Sequence, residues 1–205
     1  SELTAAQKLE SFRQEGEGYV GQSFPTISGY GPHGSIIHYR VDESSDIPIG
    51  KDNLYLVDSG GQYLFGTTDI TRTLCFGSPT PEQKDAYSRV LRGHIELTTL
   101  CFPKGVTGKH IDVLARRSLW DAGLNFLHGT GHGIGHYLNV HEGPISISSR
   151  APEVALSEGH ILSNEPGCYS DGQFGIRTEN LIVVVADEVK SSDRQKFLKF
   201  ETLTR

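Results

Sequence analysis

Methionine does not occur among the 205 residues, tryptophan occurs once and cysteine only three times, at Cys75, Cys101 and Cys168. A chain that opens on Ser1 and holds no methionine is expected to be a domain taken from a longer polypeptide. The cysteines are odd in number, far apart and never in a Cys-x-x-Cys spacing. That excludes a disulfide framework and a thiolate zinc site, and favours a reducing, cytoplasmic location. The polar opening, residues 1–18, has no basic segment followed by an apolar one, so no secretory signal is read. No apolar run is longer than Leu181 to Ala186, far short of the roughly 18 residues a membrane span requires. Positive charge is not in excess either: 19 Lys+Arg are scattered among 25 Asp+Glu, for a net charge of −6. Without a basic stripe to neutralise phosphates, nucleic-acid binding is excluded.

What is present is an ordinary globular composition, 36% apolar and 21% charged, sized for a single domain over residues 1–205. Leu3, Ala6, Leu9 and Phe12 recur at helical spacing and predict a short helix within residues 1–18. Residues 23–32 are dense in Ser, Pro and Gly and read as loop, whereas Ile36, Ile37 and Tyr39 predict a short strand around His38. Leu54 to Val57 reads as a strand ending in an Asp58-Ser59-Gly60-Gly61 turn. Beyond it, residues 62–65 and 67–76 read as an antiparallel pair, with Thr67, Asp69, Thr71 and Thr73 on one face. Thr80-Pro81-Glu82-Gln83 carries an N-cap, a proline at the first helical position and a capping-box glutamine, predicting a helix to about Leu100. A second helix is predicted from Thr107 to Ala122, closed by Gly123. Strands and glycine turns fill the rest: the histidine-rich segment 128–141, then 161–165, then 174–185. The class is α+β.

Several acidic residues and histidines sit where secondary structure disfavours them. Asp69 interrupts a Thr- and Ile-rich strand, and Glu179 leads directly into the most apolar strand of the chain. A buried carboxylate must be paired, so Glu179 either forms an ion pair with Arg177 on the same strand face or joins other carboxylates around divalent cations. Four of the nine histidines, His128, His132, His136 and His141, fall in one glycine-rich segment. A phosphate loop there would need a terminal Gly-Lys-Ser/Thr, and a dinucleotide fingerprint a strand before and a helix after. Neither is present, so the segment suits one metal ligand with neighbours that move protons or bind substrate oxygens.

The order and contexts of Asp58, Asp69, His132, Glu165 and Glu179 resemble the five metal ligands of the pita-bread metallopeptidases, the family of methionine aminopeptidase, prolidase and aminopeptidase P. The segments 23–28, 36–39, 66–69, 128–133, 138–144 and 165–167 are similar, within that family, to the cytosolic-type X-prolyl aminopeptidases. The resemblance covers roughly residues 1–185. It implies a pita-bread fold of curved antiparallel sheets covered by helices, here lacking its first helix, and a parent chain with additional amino-terminal domains. It also allows a homodimer through the catalytic domain.

The resemblance further implies that Asp69 and Glu179 bridge two divalent ions, with Asp58 completing one coordination sphere and His132 and Glu165 the other. Oxygen-rich coordination with one imidazole suits Mn2+, and Co2+ or Zn2+ could substitute. A metal-bound hydroxide would attack the first peptide bond of peptides with proline in second position, and Glu165 would carry the proton to the leaving nitrogen. His38, His128 and His141 would line the substrate pocket, His128 or His141 would stabilise the oxyanion, and Arg177 would support Glu179 or the substrate. His136 receives no catalytic role. The alternatives are a prolidase-like X-Pro dipeptidase and a non-catalytic binding module on the same fold.

Overall fold

Residues 1–204 are described in the computed structural model. The first helix, α1, spans Glu2–Gln14 and is opened by a Ser1–Thr4 capping box. The loop expected over residues 23–32 is instead most of a long strand, β1, Tyr19–Tyr30, followed by a 3₁₀ turn, Gly31–Ser35. β1 pairs with β2 (Leu54–Tyr63) through register shifts between Phe24 and Ile27. A proline has no N–H for the ladder, so Pro25 falls in that irregular stretch, and the bulge hides the strand from composition reading. The strand expected around His38 does not form. The segment finds no partner strand and runs as a turn, with Tyr39 buried and its hydroxyl donating to the Ser45 carbonyl and to Glu2.

The turn expected at Asp58 to Gly61 is likewise corrected: these residues lie inside β2, and the chain reverses at Leu64 and Phe65. After the reversal come β3 (Gly66–Thr67) and β4 (Ile70–Cys75), which pair along the same edge of β2 in one continuous register. Helices α2 (Pro81–Thr98) and α3 (Gly108–Trp120) follow as expected. α2 is opened by the Thr80–Gln83 capping box, and α3 ends before Gly123 at φ +71.

A second antiparallel sheet is ordered β5 (Cys101–Pro103), β12 (Phe197–Thr202), β11 (Asn180–Ala186) and β8 (Ile161–Asn164). Two short hairpins complete the fold: β6 (Gly131–His132) with β7 (Ser146–Ile147), and β9 (Gly167–Ser170) with β10 (Phe174–Arg177). The strand expected over 174–185 is thus two strands broken at Thr178 and Glu179. The histidine-rich segment contributes only β6 as regular structure.

Two apolar clusters fasten the helices to the sheets. One packs Leu97, Ile111 and Ala115 against Leu162, Ile182, Val184 and Leu198. The other packs Ala86, Val90 and Leu119 against Leu54, Phe174 and Ile176. Leu119, Leu162, Ile176 and Ile182 are wholly buried, each worth about 1.5–3 kcal/mol of transfer free energy.

Candidate metal centre

Each predicted ligand is delivered by a feature of the sheets. Asp58 sits in mid-β2, opposite Ile27 on one side and Thr71 on the other. Asp69 occupies the gap between β3 and β4, where the shared register places it opposite Gly60. A Cβ at Gly60 would lie 2.0 Å from the Thr68 carbonyl oxygen, so only glycine lets the strands approach there. The same constraint acts at Gly131, whose Cβ would lie 2.0 Å from the Ser163 carbonyl oxygen. That approach sets β6 against β8, with the Glu165 N–H donating to the Thr130 carbonyl at 2.8 Å. Glu179 lies in the break before β11, tied by its N–H to the Thr71 carbonyl at 3.2 Å.

The five side chains converge. Ligand atoms of Asp69, His132 and Glu179 lie within 4.8 Å of one another. His132 Nε2 is 3.4 Å from Asp69 Oδ2 and 3.2 Å from Glu165 Oε1. His132 Nδ1 donates to the Gly133 carbonyl at 3.0 Å, which fixes the tautomer and turns Nε2 toward the carboxylates. Ser163 Oγ donates to Glu165 Oε1 at 2.9 Å and accepts from the His132 N–H at 3.0 Å. Thr71 Oγ1 donates to Glu179 Oε2 at 2.7 Å.

Arg177 does not pair with Glu179. Its guanidinium reaches Asp58 Oδ2 at 2.7 Å, the Tyr169 hydroxyl at 2.7 Å and Thr71 Oγ1 at 3.2 Å. The strand break turns Glu179 off the face that Arg177 occupies.

Two carboxylate oxygens, Asp58 Oδ1 and Glu179 Oε1, are buried without any hydrogen-bond partner. Leaving buried acceptors unmatched is costly, and unpartnered carboxylate oxygens are what a hard or borderline divalent cation binds. Titration behaviour agrees. Burial, then repulsion from Asp69, Asp58 and Glu165, pushes Glu179 well above the usual carboxylate range. Burial likewise pushes Asp69 up, with Asp58 and Glu165 adding to it. For His132, burial opposes the charge, but hydrogen bonds to Asp69 and Glu165 win and raise it to about 10. A carboxylate cluster that draws protons onto both acids and imidazole lacks positive charge, and the residues fit a pair of cations.

Asp58, Asp69, His132 and Glu165 line a cavity of about 380 Å³, together with His38, His128, His141 and Arg177. Glu179, 1% exposed, lies beneath its floor. His136 lines a separate cavity with Phe65 and Leu203. The loop bearing His136 and His141 is pinned to the first sheet, since Gln62 and Thr67 both donate to the Leu138 carbonyl at 3.1 Å.

Sequence reasoning missed Tyr169. Its hydroxyl accepts from Arg177 and donates to His128 Nε2 at 2.8 Å, while His128 Nδ1 donates to the Gly129 carbonyl at 2.7 Å. Nothing in the local pattern marks that tyrosine. It also missed the buried pair Asp112–Arg116 on α3. Arg116 donates to the carbonyls of Phe126 and His128, and Asp112 accepts from Thr130 Oγ1 at 2.6 Å, so the pair holds the start of the histidine segment. Helical spacing of i and i+4 was the available signal.

Comparison with known proteins places these features in a family. A "Probable Xaa-Pro aminopeptidase P" of Laccaria bicolor is 52% identical over 209 residues, covering 100% of this chain and 32% of its own. The chain therefore spans about a third of the length of the curated relatives it matches. The X-prolyl aminopeptidase of Caenorhabditis elegans, described as a cytosolic enzyme with a di-nuclear active site, superposes with a TM-score of 0.94. It is 42% identical and covers 100% of this chain and 33% of that one. The prolidase of Pyrococcus furiosus superposes with a TM-score of 0.86 at 29% identity, covering 100% and 55%. Residues 1–186 match the model of metallopeptidase family M24. With the fold shared over its whole length, and four of the five side chains lining one cavity with Glu179 beneath it, the chain belongs to metallopeptidase family M24.

Proposed function

We propose that this chain is the catalytic domain of a cytoplasmic aminopeptidase that hydrolyses the first peptide bond of peptides with proline in second position. The observation that carries the hydrolytic reading is the pair of orphaned carboxylate oxygens, on Asp58 and Glu179, within a cluster of four carboxylates and one imidazole. The preference for proline is supported by relatives near 52% identity that carry the name Xaa-Pro aminopeptidase P. A prolidase-like dipeptidase is the second reading, supported by the prolidase folds at 29% identity.

Asp58, Asp69, His132, Glu165 and Glu179 would together hold two divalent cations, most suitably Mn2+. Bound there, the cations would polarise the scissile carbonyl and acidify water. Glu165 takes the proton of the attacking water and returns it to the proline nitrogen. Burial works against its charge, but His132, His128 and Arg177 hold it well below the usual carboxylate range, so it is ionised at neutral pH. The leaving nitrogen belongs to a tertiary amide and offers no N–H, so the wall around it can be apolar, as Phe24 and Ile27 of the cavity are.

The oxyanion falls to His141 rather than His128. Both ring nitrogens of His128 are engaged, by the Gly129 carbonyl and the Tyr169 hydroxyl. His141 stacks edge-on against His132, ring centroids 4.2 Å apart, and faces the cavity. His38 contacts the substrate, whereas Arg177 acts through Asp58 and Tyr169. The test is turnover by the full-length protein: an Arg-Pro-Ala peptide should be cleaved after its first residue and Met-Ala-Ala poorly. Equal turnover of both refutes the reading, and activity confined to dipeptides shifts it to the prolidase-like alternative.

A further inference from the structure

The cavity is polarised along its length. Its deep end holds Asp58, Asp69 and Glu165 around His132, and two arginines also line its walls. Arg177 is 2% exposed, and each of its three guanidinium nitrogens already donates, to Asp58, Tyr169 and Thr71. Arg40 is different. It is exposed, it makes no ion pair among the described residues, and its one hydrogen bond runs from Nη1 to the Pro25 carbonyl at 3.1 Å. A guanidinium has five N–H donors in a planar fork, so a face suited to bidentate binding remains open.

The guanidinium is also tethered. Its neighbour Tyr39 is 7% exposed and its hydroxyl donates to the Ser45 carbonyl and to Glu2 Oε2, both at 3.3 Å. The bond to Pro25 then holds the Arg40 side chain against β1. His38 and Arg40 flank this buried tyrosine and both line the cavity. A cation held in place before binding loses less entropy on binding than a free surface arginine.

We infer that Arg40 binds the terminal carboxylate of a short peptide, making the site selective for small peptides with a free carboxyl end. A zwitterionic peptide carries its positive amino end and negative carboxyl end in the order the cavity complements: carboxylates deep, arginine at the mouth. This rests on the aminopeptidase reading for the direction in which the peptide enters.

The experiment uses the full-length protein and two uncleavable probes. Each is Ala-Pro-Ala with the first amide reduced to a methyleneamino linkage, one ending in the free acid and one in the carboxamide. Calorimetric affinities should favour the acid about tenfold, the scale of a charge-assisted bidentate contact. Arg40→Gln should bring the acid-to-amide ratio close to one, and Arg40→Lys should retain part of it. In turnover of Ala-Pro-Ala and its amide the same ratio should collapse, through KM rather than kcat. A ratio near one in the unchanged protein, or an undiminished ratio in Arg40→Gln, overturns the inference. An Arg40-dependent ratio in a protein that cleaves no Xaa-Pro peptide defeats the aminopeptidase reading and leaves the carboxylate contact standing.

Discussion

Replacing Arg177 by Met tests how the centre is held together without touching any side chain assigned as a ligand. The arginine is 2% exposed and donates to Asp58, Tyr169 and Thr71 at 2.7, 2.7 and 3.2 Å. Methionine keeps an unbranched apolar stem but supplies no donor. Asp58 is then left buried with neither of its oxygens paired, since Oδ1 already has no partner. Breaking a buried ion pair from one side costs about 3–5 kcal/mol, chiefly because the abandoned charge stays desolvated. Most of that penalty should vanish if Asp58 is neutralised too. The double variant Arg177→Met, Asp58→Asn should be more stable than the summed single losses by about 2 kcal/mol. The assay is urea unfolding of chelator-treated protein for all four members of the cycle. Adding divalent cation should reduce the cost of Arg177→Met in the presence of Asp58, because positive charge then reaches that carboxylate from the other side. Additivity within about 0.5 kcal/mol would refute the claim that Arg177 serves mainly to hold Asp58.

Metal content should follow the bridging assignment: Asp69→Ala or Glu179→Ala should strip more divalent cation than Asp58→Ala, and full occupancy in Asp69→Ala by elemental analysis would end it. His94 supplies a pH prediction. It is buried between α2 and the β8–β11 pair, donating from Nδ1 to the Asn164 carbonyl at 3.1 Å, and burial lowers its pKa from 6.5 to about 4. The unfolded chain binds that proton first, so stability is full above about 6.5 and declines as pH falls to about 4. The loss amounts to up to about 3 kcal/mol, and His94→Gln should flatten that part of the denaturation midpoint against pH. An unchanged slope in the variant would show that other groups govern it.

Much of this molecule is legible along the chain because its signals are local. The capping box at Thr80 and Gln83 starts α2 where expected, since cap chemistry depends only on residues a few positions apart. The two-residue period that puts Thr67, Asp69, Thr71 and Thr73 on one face is realised: all four are buried. The oddity of Asp69 and Glu179 in apolar surroundings marked them as residues in need of partners, and resemblance ordered the five acidic and imidazole positions. Tertiary structure alone decided the rest. Pro25 and Gly60 belong to strands, although their composition reads as loop and turn, because a bulge and a close approach to Thr68 depend on the partner strand. Arg177 pairs with Asp58, 119 positions away, rather than with Glu179 two residues on, because the break before β11 turns their side chains apart. The Tyr169 link between Arg177 and His128, and the orphaned oxygens of Asp58 and Glu179, likewise arise only where separate sheets meet. Local chemistry fixes which backbone conformations are cheap; which charges face one another is set by long-range packing, and no window of sequence contains both partners.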